Sequence, residues 1–431
     1  MPRTLTLILS LLGIAGLLAG ERALAEDASR SRDGSVPALE SLHLEAWTPS
    51  NEFRRVRRLE DTPPTALGFN EQFIWGYLQA RGVACSDCAG NSPPIPLMVA
   101  ESYLDGLSQN GVRVAREIVP ERYFADPSNH AAIGTIVKEY QRRRFTLVFT
   151  VGWPVEGRHG ECFGFAGGGE GFDRAAYDYS SAAARLLLDL YTQPGIDRAW
   201  AESHILIEPW NEFDGMCGGS VGSPRKAARY QGVMQLVFDR AGVRNEILMP
   251  SVVNVFRVPA LTAGRTGRYG KMNAYLADYY RSGGSGRPNV HLYFDPGWGD
   301  RPSELGKILE DQVAEIARSV PDAYGGQAIV GEIGVADQSD VAKCNAHAMT
   351  EDARASLYQQ VAGSQAVKRE VEIMLFWRLF SLEGMMKPLD NCDQFYGMTR
   401  RDWSHVESPA EALDTFTPSG RNLLRAAQGQ R

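Results

Sequence analysis

What most constrains this chain is an alternation. From about residue 63 onward, short β-branched apolar runs take turns with segments of helical period. The runs fall at 66–70, 112–117, 146–152, 204–210, 246–253, 289–294, 328–333 and 371–379. Amphipathic segments at 97–108, 130–142, 174–191, 225–241, 271–281, 302–319 and 351–365 lie between them, and a last one near 419–427 follows the eighth run. Continuous apolar runs joined by helical crossovers are what a parallel sheet requires, because helices cover both of its faces. Eight such pairs, with no long all-β or all-α stretch, predict an α/β fold of the (β/α)8 TIM-barrel type rather than an open doubly wound sheet. No sequence repeat or Pro-rich linker divides residues 63–431, which are expected to form one domain behind an N-terminal lead-in at 26–62.

The first 25 residues stand apart. Arg3 gives a positive start, residues 5–18 an apolar core, and Ala23-Leu24-Ala25 a small-x-small cleavage site. This reads as a signal peptide, so a periplasmic or secreted protein is expected, with no stable membrane anchor after processing. An oxidising compartment favours pairing of the six cysteines: Cys85 with Cys88, Cys162 with Cys217, and Cys344 with Cys392. Cys85-Ser86-Asp87-Cys88 also has the spacing of a redox motif, but it follows Gly82 in a Ser/Asn/Pro-rich stretch and does not open a helix.

Charge and motifs narrow the partners. With 45 Lys+Arg against 52 Asp+Glu the net charge is −7, which gives no electrostatic reason to bind nucleic acid or an anionic membrane. The glycine-rich stretch at 164–171 lacks the Lys-Ser/Thr of a phosphate loop and is expected to be a rim loop. No HExxH or Asp-rich loop is present, so no metal or other cofactor is expected, and a monomer is anticipated.

In such a barrel chemistry gathers at the C-terminal ends of the strands. The fourth run ends in Asn211-Glu212 and the seventh delivers Glu332. The second delivers Arg116 and Glu117, and the eighth Trp377. On the sixth, His291 and Tyr293 share a face because strand side chains alternate with period two. Strands four and seven lie on opposite sides of an eight-stranded ring, so Glu212 and Glu332 are expected to face each other. Glycosidic cleavage needs such a pair, one carboxyl protonated for the leaving oxygen and one ionised toward the anomeric carbon. Arg116 and the Tyr293 hydroxyl are expected to keep Glu332 ionised while Glu212 shuttles the proton. Trp75, Trp153, Trp210 and Trp298 fall in or near strand-end loops, where indole faces stack on sugars.

Asn211-Glu212, Glu332, Arg116, His291-x-Tyr293 and Trp377 together resemble the clan A retaining glycoside hydrolases, with families five and thirty-nine as the nearest analogues. The resemblance runs from about residue 63 to the C-terminus through scattered positions. It implies that Glu212 is the acid/base, that Asn211 contacts the sugar 2-hydroxyl and that Glu332 is the nucleophile. Phe213 stands where many members have Pro, and Trp153 stands at the end of strand three where a His is usual, with His159 further along. The expectation is an endo-acting retaining hydrolase of a β-linked polysaccharide or oligosaccharide, with Arg116, Asn211, His291, Tyr293, Trp377, Trp153, Trp210 and Trp298 binding substrate. The alternatives are a non-catalytic carbohydrate-binding or exopolysaccharide-assembly protein on the same barrel, and a thiol oxidoreductase built on Cys85 and Cys88.

Overall fold

A computed structural model of the chain describes residues 35–42, 65–83, 93–152, 170–216, 222–257, 265–295, 302–319, 321, 327–338, 344, 348–382 and 392–429. The signal segment, Trp153, Trp298, Cys85, Cys88, Cys162 and Cys217 lie outside the described residues.

Eight parallel strands form the centre: β1 (Ala66–Glu71), β2 (Val114–Ile118), β3 (Thr146–Thr150), β4 (Ile205–Glu208), β5 (Val252–Arg257), β6 (Asn289–Asp295), β7 (Ala328–Gly334) and β8 (Val371–Phe376). Their order is β4-β3-β2-β1-β8-β7-β6-β5. The two ends of that order meet at a parallel bridge between Ile207 and Ile247, where Ile207 N donates to Glu246 O and Leu248 N to Ile207 O, both at 2.8 Å. The sheet is therefore a closed (β/α)8 barrel. Its helices include Leu97–Gln109, His130–Arg142, Glu170–Thr192, Pro224–Ala241, Arg265–Arg281, Pro302–Ser319 and Pro418–Gln428. None among the described residues is long and apolar enough to cross a membrane.

Three elements differ from the sequence expectation. The fifth strand pairs regularly only over Val252–Arg257, because Pro250 has no N–H to give the ladder and residues 247–248 supply just the closing bridge. The helix expected over 351–365 is two, Glu351–Gly363 and Gln365–Glu370, broken where the Ser364 hydroxyl caps the second by accepting from Val367 N. An unexpected helix, Phe73–Ala80, follows β1 and buries Phe73, Ile74, Trp75, Gly76 and Leu78. It is apolar nearly all round, so it carries no amphipathic stripe by which to recognise it.

Packing follows the period-two alternation. Ala66, Val114, Val148, Leu206, Leu248, Ile329, Ile373 and Leu375 fill the inside of the barrel. A larger core joins the outward strand faces to the helices. The lead-in contributes to this outer layer: Leu42 is buried and the Tyr177 hydroxyl donates to Pro37 O at 2.7 Å. Near the N-terminal ends of the strands, the buried Arg287 guanidinium donates from Nε to Glu246 (2.9 Å) and from Nη1 to Glu372. Beyond β7, Cys344 and Cys392 form the expected disulfide. The other two expected pairs fall outside the described residues.

Removing the shared cation below the barrel leaves two carboxylates buried side by side. Arg287→Met is expected to lower the unfolding free energy by about 3–5 kcal/mol, measured by chemical denaturation. A loss below about 1 kcal/mol would show that this ion group does not hold the base of the barrel.

Candidate active site

The polar cup lies one step above the apolar filling. On β1 to β4 the same face of the strand presents a polar side chain two residues past an inward apolar or glycine position: Gly68 then Asn70, Val114 then Arg116, Val148 then Thr150, Leu206 then Glu208. β6 places Asn289, His291 and Tyr293 on one face. β7 breaks the rule. Ile329 points inward, yet Glu332, at odd spacing from it, also reaches the cup. The register between β6 and β7 shifts between the Val290↔Val330 and His291↔Glu332 pairs, so one extra residue re-aims the carboxylate. Gly331 occupies the irregularity; a Cβ there would lie 2.3 Å from Asn289 Oδ1 and 3.1 Å from His291 Nε2. Asn70 Nδ2 holds the same point by donating to Gly331 O at 3.0 Å.

Arg116 binds this layer together. It is fully buried and donates from Nε to Glu208 Oε2 (2.6 Å), from Nη1 to Asn70 Oδ1 (2.7 Å) and Glu332 Oε1 (2.5 Å), and from Nη2 to Asn211 Oδ1 (2.6 Å). Thr150 Oγ1 adds a second donor to Glu208 Oε2 at 2.6 Å. The Tyr293 hydroxyl donates to Glu332 Oε2. His291 Nδ1 sits 3.1 Å from Glu212 Oε1 and 3.5 Å from Glu332 Oε2, and its Nε2 faces Glu208 Oε1 at 3.6 Å.

Glu212 enters from a turn. Its backbone is left-handed (φ 47°), which costs a non-glycine residue about 1–2 kcal/mol. Neighbouring bonds hold it there: Glu212 N donates to Ser251 Oγ, Asn211 N to Gly152 O and Phe213 N to Ser251 O, each at 2.8 Å. The Glu212 side chain keeps 17% of its surface exposed, against 3% for Glu332.

The electrostatics follow from burial opposed by charge. Burial holds the Glu332 carboxyl above its ordinary value, and His291, Arg116 and the Tyr293 hydroxyl pull it only part of the way back. Desolvation would also raise Glu208, but Arg116 and His291 overrule it and hold that carboxyl far below the usual range. Desolvation disfavours the His291 cation, yet Glu332, Glu208 and Glu212 outweigh it and push the imidazole up to about 9. Burial and the Glu332 charge keep Tyr293 protonated. Glu212, His291 and Glu332 offer donor atoms within 4.8 Å of one another, the one grouping of metal-ligand type among the described residues. Arg116 already neutralises Glu332 from 2.5 Å, so the donor set fits a proton-handling cluster better than a cation site.

The structure thus brings together Arg116, Asn211, Glu212, His291, Tyr293 and Glu332. Trp377 follows β8 on its inward parity, 8% exposed, with its N bonded to Ile333 O at 2.8 Å. Trp210 is a correction. It is fully buried on the helix side, edge-on to Tyr179 (5.2 Å), Tyr230 (6.1 Å) and Phe213 (6.3 Å), and presents no face to a ligand. Trp75 is likewise buried, 6.3 Å from Tyr123. Asn70, Thr150, Glu208 and Ser251 belong to the site without having been singled out from sequence. Their signal was parity: the first three stand two residues past an inward position. Tyr396 is a further addition, packed edge-on against Tyr293 at 5.7 Å, from the short 3-10 helix Cys392–Tyr396 that the disulfide ties to Cys344.

No protein-family model and no curated protein matches the sequence. Solved structures do match. The β-glycosidase BGL167 superposes with a TM-score of 0.55 at 12% identity, covering 86% of this chain and 97% of that one. The likeness is one of fold. A GH5-4 broad-specificity endoglucanase from Clostridium acetobutylicum gives 0.53 at 12% identity, covering 85% of this chain and 100% of that one. ZgEngAGH5_4 in complex with a cellotriose gives 0.52 at 12% identity, with 85% and 98% covered.

Glu117, one residue past Arg116, points the other way, behind the ring. It accepts from Phe73 N (3.0 Å) and Ile74 N (3.3 Å) at the start of helix Phe73–Ala80, and from the Tyr140 hydroxyl (2.7 Å), which also lies 2.8 Å from Glu71. Burial pushes Glu117 up to about 8 despite these donors. An unfolded carboxyl titrates near ~4.3, so the folded chain holds this proton more tightly. The stability Glu117 contributes is full below that value and is lost as pH rises through about 8. The unfolding free energy is expected to fall between about pH 5 and pH 8, with a shallower fall in Glu117→Gln. Parallel pH profiles for the two proteins would show that Glu117 does not carry the effect.

Proposed function

We propose that this chain is a retaining glycoside hydrolase acting on a β-linked polysaccharide or oligosaccharide, endo-acting and exported. The observation that carries the reading is the pair of carboxylates Glu212 and Glu332, with nearest oxygens within 4.8 Å across the cup. Retaining enzymes keep the two carboxyls about 5–5.5 Å apart, and inverting ones about 6.5–9.5 Å to admit a water. The neighbours that share the fold, a β-glycosidase, an endoglucanase and a protein holding cellotriose, agree with this substrate class. The Cys344–Cys392 disulfide agrees with an oxidising compartment.

In this mechanism Glu332 attacks the anomeric carbon while Glu212 gives its proton to the departing glycosidic oxygen. The C–O bond breaks with its electron pair going to that oxygen, and a glycosyl ester forms on Glu332. Glu212, now ionised, takes a proton from water, and the resulting hydroxide equivalent releases the sugar with Glu332 restored. The greater exposure of Glu212 suits the partner that must meet leaving group and water in turn. Arg116 and Tyr293 orient the two Glu332 oxygens. Asn211 Oδ1 accepts from Arg116 Nη2, and its Nδ2 is the donor proposed for the sugar 2-hydroxyl.

The test is reducing-sugar release from β-glucans, mannans, xylans and bacterial exopolysaccharides. Wild type is expected to cleave at least one, and Glu212→Gln and Glu332→Gln each to lose about 10²–10⁴-fold in kcat. The first product, followed by NMR, is expected to keep its anomeric configuration. An inverted product would remove Glu332 as nucleophile, and tight oligosaccharide binding without cleavage would favour a carbohydrate-binding protein.

A further inference from the structure

Glu208 has no part in the two-carboxylate step, yet it is fully buried beneath it. Its two oxygens are used differently. Oε2 takes both strong donors, Arg116 Nε and Thr150 Oγ1, each at 2.6 Å. Oε1 makes no hydrogen bond of its own and faces His291 Nε2, which likewise makes none, across 3.6 Å. On the far side of the ring, Nδ1 meets Glu212 Oε1.

We propose that Glu208 is a positioning residue for the acid proton: it fixes Nε2 as the protonated nitrogen of His291, so that Nδ1 is the atom that shares a proton with Glu212. The inference rests on the glycosidase reading for its role in turnover, though not for its geometry. An ionised carboxylate can only accept, so the nitrogen turned toward Glu208 carries a hydrogen whether the ring is neutral or cationic. Nδ1 then accepts from Glu212 when Glu212 is the acid, and donates to it when the ring is charged. When the ring is charged, its Nδ1–H donates to Glu212 both before and after Glu212 passes its own proton to the leaving oxygen, and Glu208 balances the ring's charge from behind.

The charged and titratable groups facing His291 among the described residues are Glu208 on β4, Glu212 after it, Glu332 on β7, Arg116 on β2 and Tyr293 on its own strand. Three carboxylates thus meet one permanent cation, and the ring is the remaining place for positive charge. The elevated affinity of His291 for its second proton agrees with this. Gly331 protects the arrangement, since any side chain there would press on Nε2.

The test is 15N NMR of the histidine imidazoles in the full chain, with the His291 signal assigned by its loss in His291→Asn. Wild type is expected to show a protonated Nε2 throughout and a midpoint near 9. In Glu208→Gln the midpoint should drop by about one unit or more, with Glu208→Asp returning toward wild type. The basic limb of kcat/KM on a cleaved substrate should move down with it, a shift that loss of packing alone would not produce. An unchanged midpoint in a folded Glu208→Gln, or an Nδ1–H tautomer in wild type, overturns the proposal. The tautomer decides the matter even if Glu208→Gln does not fold. No substrate is needed for these spectra, so a chain that cleaves nothing but whose His291 follows Glu208 would refute the hydrolase reading and leave this one standing.

Discussion

A guanidinium buried inside a barrel must find partners for its hydrogens or be expelled, because desolvating a charge without compensation costs several kcal/mol. Arg116 meets that demand by drawing on Asn70 from β1, Glu208 from β4, Asn211 from the turn beyond it and Glu332 from β7. One side chain therefore fixes the relative height of three strands and a turn. Lysine, a point charge on a flexible stem, would not hold a planar fork against four acceptors. The orientation of Glu332, the direction of the Asn211 amide and the ionisation of Glu208 all depend on this contact.

The architecture that delivers these groups is simple in register. Apolar side chains fill the barrel, and two residues further along β1 to β4 the same face turns polar. Where that rule would have turned Glu332 toward the helices, an irregularity at Gly331 turns it inward, and the absence of a side chain there leaves room for Asn289 and His291. Glu117 shows the other outcome: with no bulge, the residue after Arg116 faces outward and caps a helix instead of joining the cup.

Much of this was legible in the sequence because it depends on local pattern. Eight apolar runs and their crossover helices announce the barrel, and Asn211-Glu212, Glu332 and the His291-Tyr293 pair stand where strand ends are expected. What was not legible depends on long-range packing. Trp210 lies beside the site in sequence but faces the opposite side of β4, into Tyr179 and Tyr230. Glu208 looked like part of an apolar run, and only the position of Arg116 across the ring gives it a purpose. Helix Phe73–Ala80 is too uniformly apolar to show a period, and Asn70 gains its meaning from a carbonyl 261 residues away.

The left-handed backbone at Glu212 bears on the history of such a chain. A turn of this shape is most comfortable for glycine, and a bulky acid placed there works against the stability of the fold. Mutational drift under selection for folding alone would replace this acid with glycine or asparagine, which tolerate the conformation better. On the proposed hydrolase reading, Glu212 is a place where demand for chemistry outweighs the demand for a relaxed chain.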